Sequence, residues 1–288
     1  MSPRMTSRTS WWGKRSLWQR FVLLLVVLGI AGGAYFFLNR GPAPQPSIFR
    51  IASSGEGEAT LVVEGNDPQW SPDGNSVLLT ADDEEGVEGI YRLDLEGGEP
   101  TFITAGGNPS WSADGATIAF SLENDQGVSG VYSIPAEGGE PTFLTDGDEP
   151  VFAPDGAMIA FSGQDQAGNP GVYTFEVASE AVTLLSPGNE PSWSPDGSTI
   201  AFVRENSEGD SEIQLFDLAS SEITFVTGGD DPVWSPDGST LAFSGEDPAE
   251  LPIVATVSPG STPTEVTSGE EPSWSPDGSE LVFVRTPE

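Results

Sequence analysis

A motif close to P-x-W-S-P-D-G recurs six times along the 288 residues, and its spacing leaves few folds open. The aromatic of each copy falls at Trp70, Trp111, Phe152, Trp193, Trp234 and Trp274, at successive intervals of 41, 41, 41, 41 and 40 residues. A second bulky apolar residue follows nine positions later in every copy (Leu79, Phe120, Phe161, Phe202, Phe243, Phe283), and a threonine stands ten positions before (Thr60, Thr101, Thr142, Thr183, Thr224, Thr264). A fixed period of this length marks a repeat architecture whose units bury their faces against one another.

Each unit reads as four short strands. The first runs into the aromatic and ends in Ser-Pro-Asp-Gly, as at Ser71-Pro72-Asp73-Gly74. Pro suits the first corner of a type I turn, Asp the second, and Gly accepts the left-handed conformation that follows. The second strand is Ile118-Ala119-Phe120 or its equivalent, the third Ile90-Tyr91-Arg92-Leu93, and the fourth Thr101-Phe102-Ile103-Thr104 after a Gly-rich turn. Four strands in about 40 residues make one blade of a β-propeller. Before the first aromatic lie only a third and a fourth strand (Ile48–Ile51, Thr60–Val63); after the last lies only a second strand, Leu281–Val284. The expectation is an all-β, six-bladed propeller over 48–288 whose last blade is closed by both chain ends, leaving no open edge in the ring.

The pattern P-x-W-S-P-D-G…I-A-F…I-Y…L-T resembles the TolB-like propeller repeat family across 48–288. The resemblance implies a six-bladed propeller outside the cytoplasm and, as the family's usual business, binding to other proteins. It implies no catalytic residue, because the family pattern belongs to the scaffold. The family's periplasmic namesake carries a separate N-terminal α/β domain, whereas here an apolar segment and a proline-rich stretch precede the repeats.

That apolar segment, Phe21 to Leu38, has no charge in 18 residues, and the expectation is one transmembrane helix. A basic tail (1–20) precedes it, and Gly41-Pro42-Ala43-Pro44-Gln45-Pro46 lies in a stiff linker (39–47). Five positive charges before the segment place the tail in the cytoplasm and the propeller outside it, in the periplasm or at the cell surface. A signal peptide cleaved near Ala31-Gly32-Gly33 is the competing reading and leaves the propeller on the same side.

Charge is split sharply. Residues 1–40 hold six positive charges and no acid, whereas the remainder holds Arg50, Arg92, Arg204 and Arg285 against all 45 acids. So acidic a domain repels phosphate, which argues against nucleic acid as a partner. The acids are spread over every repeat, as a general solubility bias would spread them. There is no cysteine and no histidine, which removes disulfides, thiolate metal sites and Ser-His catalysis.

The motif's Trp is best read as packing and its Asp as turn chemistry. The less easily dismissed position is the residue before each motif proline: Asp67, Asn108, Glu149, Glu190, Asp231 and Glu271. These lie where the chain crosses from the outer strand of one blade to the inner strand of the next, and six crossings converge on the channel mouth. The five acids form a candidate ring that focuses negative potential and offers oxygen ligands to Ca²⁺ or another hard cation. The acidic loops Asp82-Asp83-Glu84-Glu85, Glu123-Asn124-Asp125 and Glu205 to Asp210 share that face and read as solvated tips. Three function classes stand: a monomeric, non-enzymatic module binding envelope proteins, a cation- or solute-binding ectodomain, and a propeller glycosidase or lyase. The first is the leading expectation.

Overall fold

The computed structural model describes residues 45–83, 86–124, 126–165 and 167–286. The tail, the expected transmembrane segment and most of the linker lie outside these residues, as do Glu84, Glu85 and Asp125 of the acidic loops. Among the described residues no helix is long and apolar enough to cross a membrane.

The described residues form twenty-four strands in six four-stranded antiparallel sheets. In chain order the first two strands are β1 (Ser47–Ala52) and β2 (Thr60–Glu64). Blade one is β3 (Asn66–Trp70), β4 (Ser76–Asp82), β5 (Glu88–Asp94) and β6 (Thr101–Ala105). Blade two is β7 (Gly107–Trp111), β8 (Thr117–Glu123), β9 (Ser129–Pro135) and β10 (Thr142–Asp146). Blade three is β11 (Asp148–Phe152), β12 (Met158–Gln164), β13 (Pro170–Glu176) and β14 (Ala181–Ser186). Blade four is β15 (Asn189–Trp193), β16 (Thr199–Glu205), β17 (Ser211–Asp217) and β18 (Ile223–Gly228). Blade five is β19 (Asp230–Trp234), β20 (Leu241–Glu246), β21 (Pro252–Val257) and β22 (Thr264–Ser268). The sixth joins β23 (Glu270–Trp274) and β24 (Glu280–Arg285) to β1 and β2, in the order β2-β1-β24-β23. The two half-blades read at the ends of the repeat array thus make one sheet, with Ser47 to Ala52 paired residue for residue with Arg285 to Glu280.

The first strand of each blade is innermost, and these strands touch in sequence around the axis. The second strand explains the Ile-Ala-Phe run. Side chains alternate faces along a strand, and both faces of every blade are covered by neighbours. Ile118 and Phe120 pack on Leu78 and Ile90 of blade one, whereas Ala119, between them, packs on Ile159 and Phe161 of blade three. The small residue makes room for the next blade's phenylalanine. Phe120, Phe161, Phe202 and Phe283 are fully buried, and each carries about 1.5–3 kcal/mol of transfer free energy.

The motif Trp sits differently from expectation. Only Trp193 is buried, and the other four tryptophans and Phe152 are half-buried. They cap the wedge at its S-P-D-G end, while the second-strand aromatics fill its depth. The indole N–H of Trp193 donates to Val151 O (3.2 Å) and that of Trp274 to Val233 O (3.1 Å), so each indole ties its blade to the preceding one.

The turn itself is as read. The Gly74 amide donates to Ser71 O (2.9 Å), and Gly74 takes φ 73°. Ser71 Oγ donates to Asp73 Oδ1 (2.6 Å) and accepts from the Ser76 amide (3.0 Å), closing the hairpin. The Ser71 hydroxyl, with the Asn75 amide, holds the Asp73 carboxyl below the usual range. Asp237 and Asp277 are lowered further, to about 2, by the Ser235 hydroxyl and the Ser279 amide respectively.

Candidate functional site

Every crossing between blades begins with a glycine three residues before the motif proline: Gly65, Gly106, Gly147, Gly188, Gly229 and Gly269. Space requires it. At Gly188 φ is 145°, and a Cβ would lie 2.5 Å from the Val203 carbonyl oxygen. Two residues on, the pre-proline residue is left-handed in all six blades, with φ between 47° (Asp67) and 53° (Glu271). For Glu this conformation costs about 1–3 kcal/mol and persists only where surrounding contacts enforce it. The ladder between first and second strands skips here, as between Asn66 and Gln69, which releases the pre-proline amide from its own sheet.

The released amides turn to the neighbouring blade. The Asp67 amide donates to Glu271 Oε2 (2.8 Å) and the Asp231 amide to Glu190 Oε2 (2.9 Å). The Glu190 amide donates to both Ser162 Oγ (2.9 Å) and Glu149 Oε2 (3.2 Å). The Glu271 amide donates to Ser244 Oγ (2.9 Å), and the Glu149 amide to Ser121 Oγ (3.0 Å). Two second-strand hydroxyls connect such an amide to the neighbouring carboxylate, Ser162 Oγ donating to Glu149 (2.6 Å) and Ser244 Oγ to Asp231 (2.8 Å), and Thr80 Oγ1 donates to Asp67 (2.7 Å). At Asn108 the side-chain amide donates instead to Asp148 Oδ1 (2.8 Å).

In the two blades that lack a second-strand hydroxyl, the choice of Glu follows from this wiring, whereas Glu149 has both the Ser162 hydroxyl and a direct reach to the next amide. The residue after the second-strand aromatic is Thr80, Ser121, Ser162 or Ser244 in four blades, and Val203 or Val284 in two. Where valine removes the bridging hydroxyl, the ring residue is Glu190 or Glu271, and its longer side chain reaches the next blade's amide directly. Asp231, one methylene shorter, occurs where the Ser244 hydroxyl completes the span to the Glu271 amide, and the equally short Asp67 accepts from Thr80.

Burial together with neighbouring carboxylates sets the ring's electrostatics. Burial raises Glu190 well above the ordinary range, and the charges of Asp231 and Glu149 raise it further. Glu271 is raised likewise by burial, then by Asp67 and Asp231. Asp231 is pushed up to about 7 by burial, against the opposing Ser244 hydroxyl and with help from Asp230. Burial and Asp230 also raise Glu270.

The structure brings the five acids of the predicted ring close to one another through contacts between adjacent blades. Glu149, Glu190 and Glu271 accept amides of the next blade, and Asp67, Glu149 and Asp231 accept hydroxyls of their own. Among the described residues no group of three or more acids is arranged to hold a metal ion. The crossing glycines and the second-strand hydroxyls were missed, although both recur at the repeat spacing. The loop acids have a local explanation at that spacing too. Asp83, Asn124, Asp165, Asn206 and Asp247 each accept amides from within their own turn, as Asp165 does from Ala167 (2.8 Å) and Asn169 (2.9 Å). At the opposite end of the blades lie two grooves. One, of about 470 Å³, is lined by Pro72, Arg92, Trp111 and Glu137; another, of about 310 Å³, by Pro154, Met158, Trp193 and Pro195.

The architecture defines a six-bladed β-propeller with a closing blade shared by both chain ends and an acidic mouth. A family model described as the TolB beta propeller domain matches residues 105–229. A protein assigned as TolB from Agrobacterium tumefaciens superposes with a TM-score of 0.75 at 25% identity, covering 86% of this chain and 100% of its own. TolB from Acinetobacter baumannii gives 0.69 at 21%, covering 81% of this chain and 66% of its own. The propeller is thus similar to that of TolB, and the match to the family's propeller domain spans 105–229. An oligogalacturonate lyase solved with manganese shares the fold at 16% identity and a TM-score of 0.55, each chain being 80% covered. No curated protein matches the chain.

Proposed function

We propose that this chain is a membrane-anchored propeller that serves in the cell envelope as a non-enzymatic protein-binding module. The observation that supports it most is the state of the mouth. Three of the acids that would have to do chemistry there, Glu149, Glu190 and Glu271, already accept a backbone amide of the next blade, which is an architectural use. Likeness to TolB supports the same reading, as does the lack of any histidine or cysteine. The uncharged stretch from Phe21 to Leu38 supplies the anchor.

The test is photo-cross-linking in native membranes from two positions, Ser239 in an S-P-D-G turn and Ser207 in a mouth-side loop. A discrete adduct with one envelope protein from one of the two faces is the expected result. Absence of any adduct from either face refutes the binding role. Extraction of the chain by alkaline carbonate refutes the anchor, and turnover of an oligosaccharide by the purified chain refutes the non-enzymatic part.

A further inference from the structure

Arg285, the last residue of β24, is held unlike the other arginines. Its guanidinium lies 5.0 Å from the ring centroid of Phe49 on β1 and 5.1 Å from that of Phe283 on β24, the two rings stacked at 6.1 Å. Its Nε donates to Ser268 O (3.0 Å) and its Nη2 to Thr267 Oγ1 (2.6 Å), both on β22 of blade five. One side chain thus touches the N-terminal strand, the C-terminal strand and the preceding blade. In a chain with 45 acids it nonetheless takes part in no ion pair among the described residues. Arg50 does pair with Glu280 across the same seam, but exposed and at 4.0 Å, a geometry that contributes little.

The contrast with Arg204 shows why position alone does not make this contact. Arg204 stands two residues after Phe202, as Arg285 stands two after Phe283. Opposite Phe202 lies Gln214, whereas opposite Phe283 lies Phe49. Phe161 and Tyr173 of blade three also stack, but Gly163 stands there in the place of Arg285, so among the described residues the closing blade alone sets an arginine over two stacked rings. This is also the one sheet whose strands come from distant parts of the chain. Opening it between β1 and β24 breaks no connection that holds the other five blades together.

We propose that Arg285 is the clasp of the ring: it holds the C-terminal pair β23–β24 on β1, and without it that pair leaves by local opening while the other blades stay folded. The cation over two aromatic faces and its two neutral acceptors do not depend on carboxylate partners, so the clasp holds at high salt, where surface ion pairs are screened.

Hydrogen exchange on the full-length chain in mild detergent, followed by mass spectrometry, tests this. In R285Q, segments 47–52 and 281–284 are expected to exchange roughly tenfold faster or more, with 200–203 and 213–216 unchanged. R285K, which keeps the cation but not the fork of donors, falls between, and R204Q matches the parent. If R285Q proves too unstable to isolate, the parent chain in dilute and in molar sodium chloride carries the test, with seam exchange expected to be equal in both. Faster seam exchange in high salt, or acceleration spread evenly over all six blades in R285Q, overturns the proposal.

Discussion

Asp231→Asn tests the mouth ring directly. In the native state the Asp231 carboxyl is pushed up to about 7 from an ordinary value of 3.8. Between those values the folded chain holds a proton that the unfolded chain has lost. Stability from this group is therefore complete below pH 3.8 and falls away as pH rises through 7. The full shift corresponds to about 4 kcal/mol at 1.36 kcal/mol per pH unit; sharing of charge with Glu190 and Glu271 reduces the expected single-site loss to about 2 kcal/mol. Asparagine keeps the shape, tolerates the left-handed backbone and already occupies the equivalent position at Asn108. The measurement is urea unfolding at pH 4.5 and pH 8, followed by tryptophan fluorescence. The parent chain is expected to be less stable at pH 8, and D231N to recover about 2 kcal/mol there while differing little at pH 4.5. The turn aspartates Asp237 and Asp277 do not confuse the result, because their carboxyls, lowered to about 2, titrate below this window. Parent stability that rises from pH 4.5 to 8, or D231N no more stable than the parent at pH 8, refutes the reasoning.

Three further outcomes are expected. Gly188→Ala places a methyl 2.5 Å from a carbonyl oxygen at φ 145° and should lower stability by about 2–4 kcal/mol by urea unfolding, whereas Gly209→Ala, with open space around it and only its φ of 91° to strain it, should lower it by about 1–2 kcal/mol. Phe202→Ala empties the wedge between blades three and four and should lower stability by about 3–5 kcal/mol, seen as a lower unfolding midpoint with unchanged dependence on urea. At the acid end, Asp277 is lowered to about 2, so its contribution is present above pH 3.8 and lost as pH falls through 2; thermal scans of Asp277→Asn between pH 2 and 5 should show a flatter acid limb than the parent.

Most of the fold is legible in the sequence because the physics repeats. Turn residues, strand alternation and the buried phenylalanine recur at one spacing, so each copy confirms the others, and the two half-blades follow from the same register. The ring of acids was legible as a place but not as a circuit. Its wiring depends on a left-handed residue before proline, on a glycine admitted by a neighbouring carbonyl, and on a hydroxyl thirteen residues away. Composition suggested ligands for a cation at Asp67, Glu149, Glu190, Asp231 and Glu271; the backbone geometry adds what the sequence could not show, amides that meet Glu149, Glu190 and Glu271. The partial exposure of the motif tryptophans was hidden for a related reason, since spacing gives the wedge but not the depth of a ring within it. Arg285 was invisible because its contacts join β24 to strands far away in the chain.

The closing blade also sets an order of assembly. During synthesis β1 and β2 emerge first, yet β1 lacks its other neighbour until β24 is complete. For all that time a strand carrying Ile48, Phe49 and Ile51 has one bare edge, the situation in which chains pair with the wrong partner. Its proper partner is formed last, so the ring is finished in one late step that five preassembled blades can align but not replace.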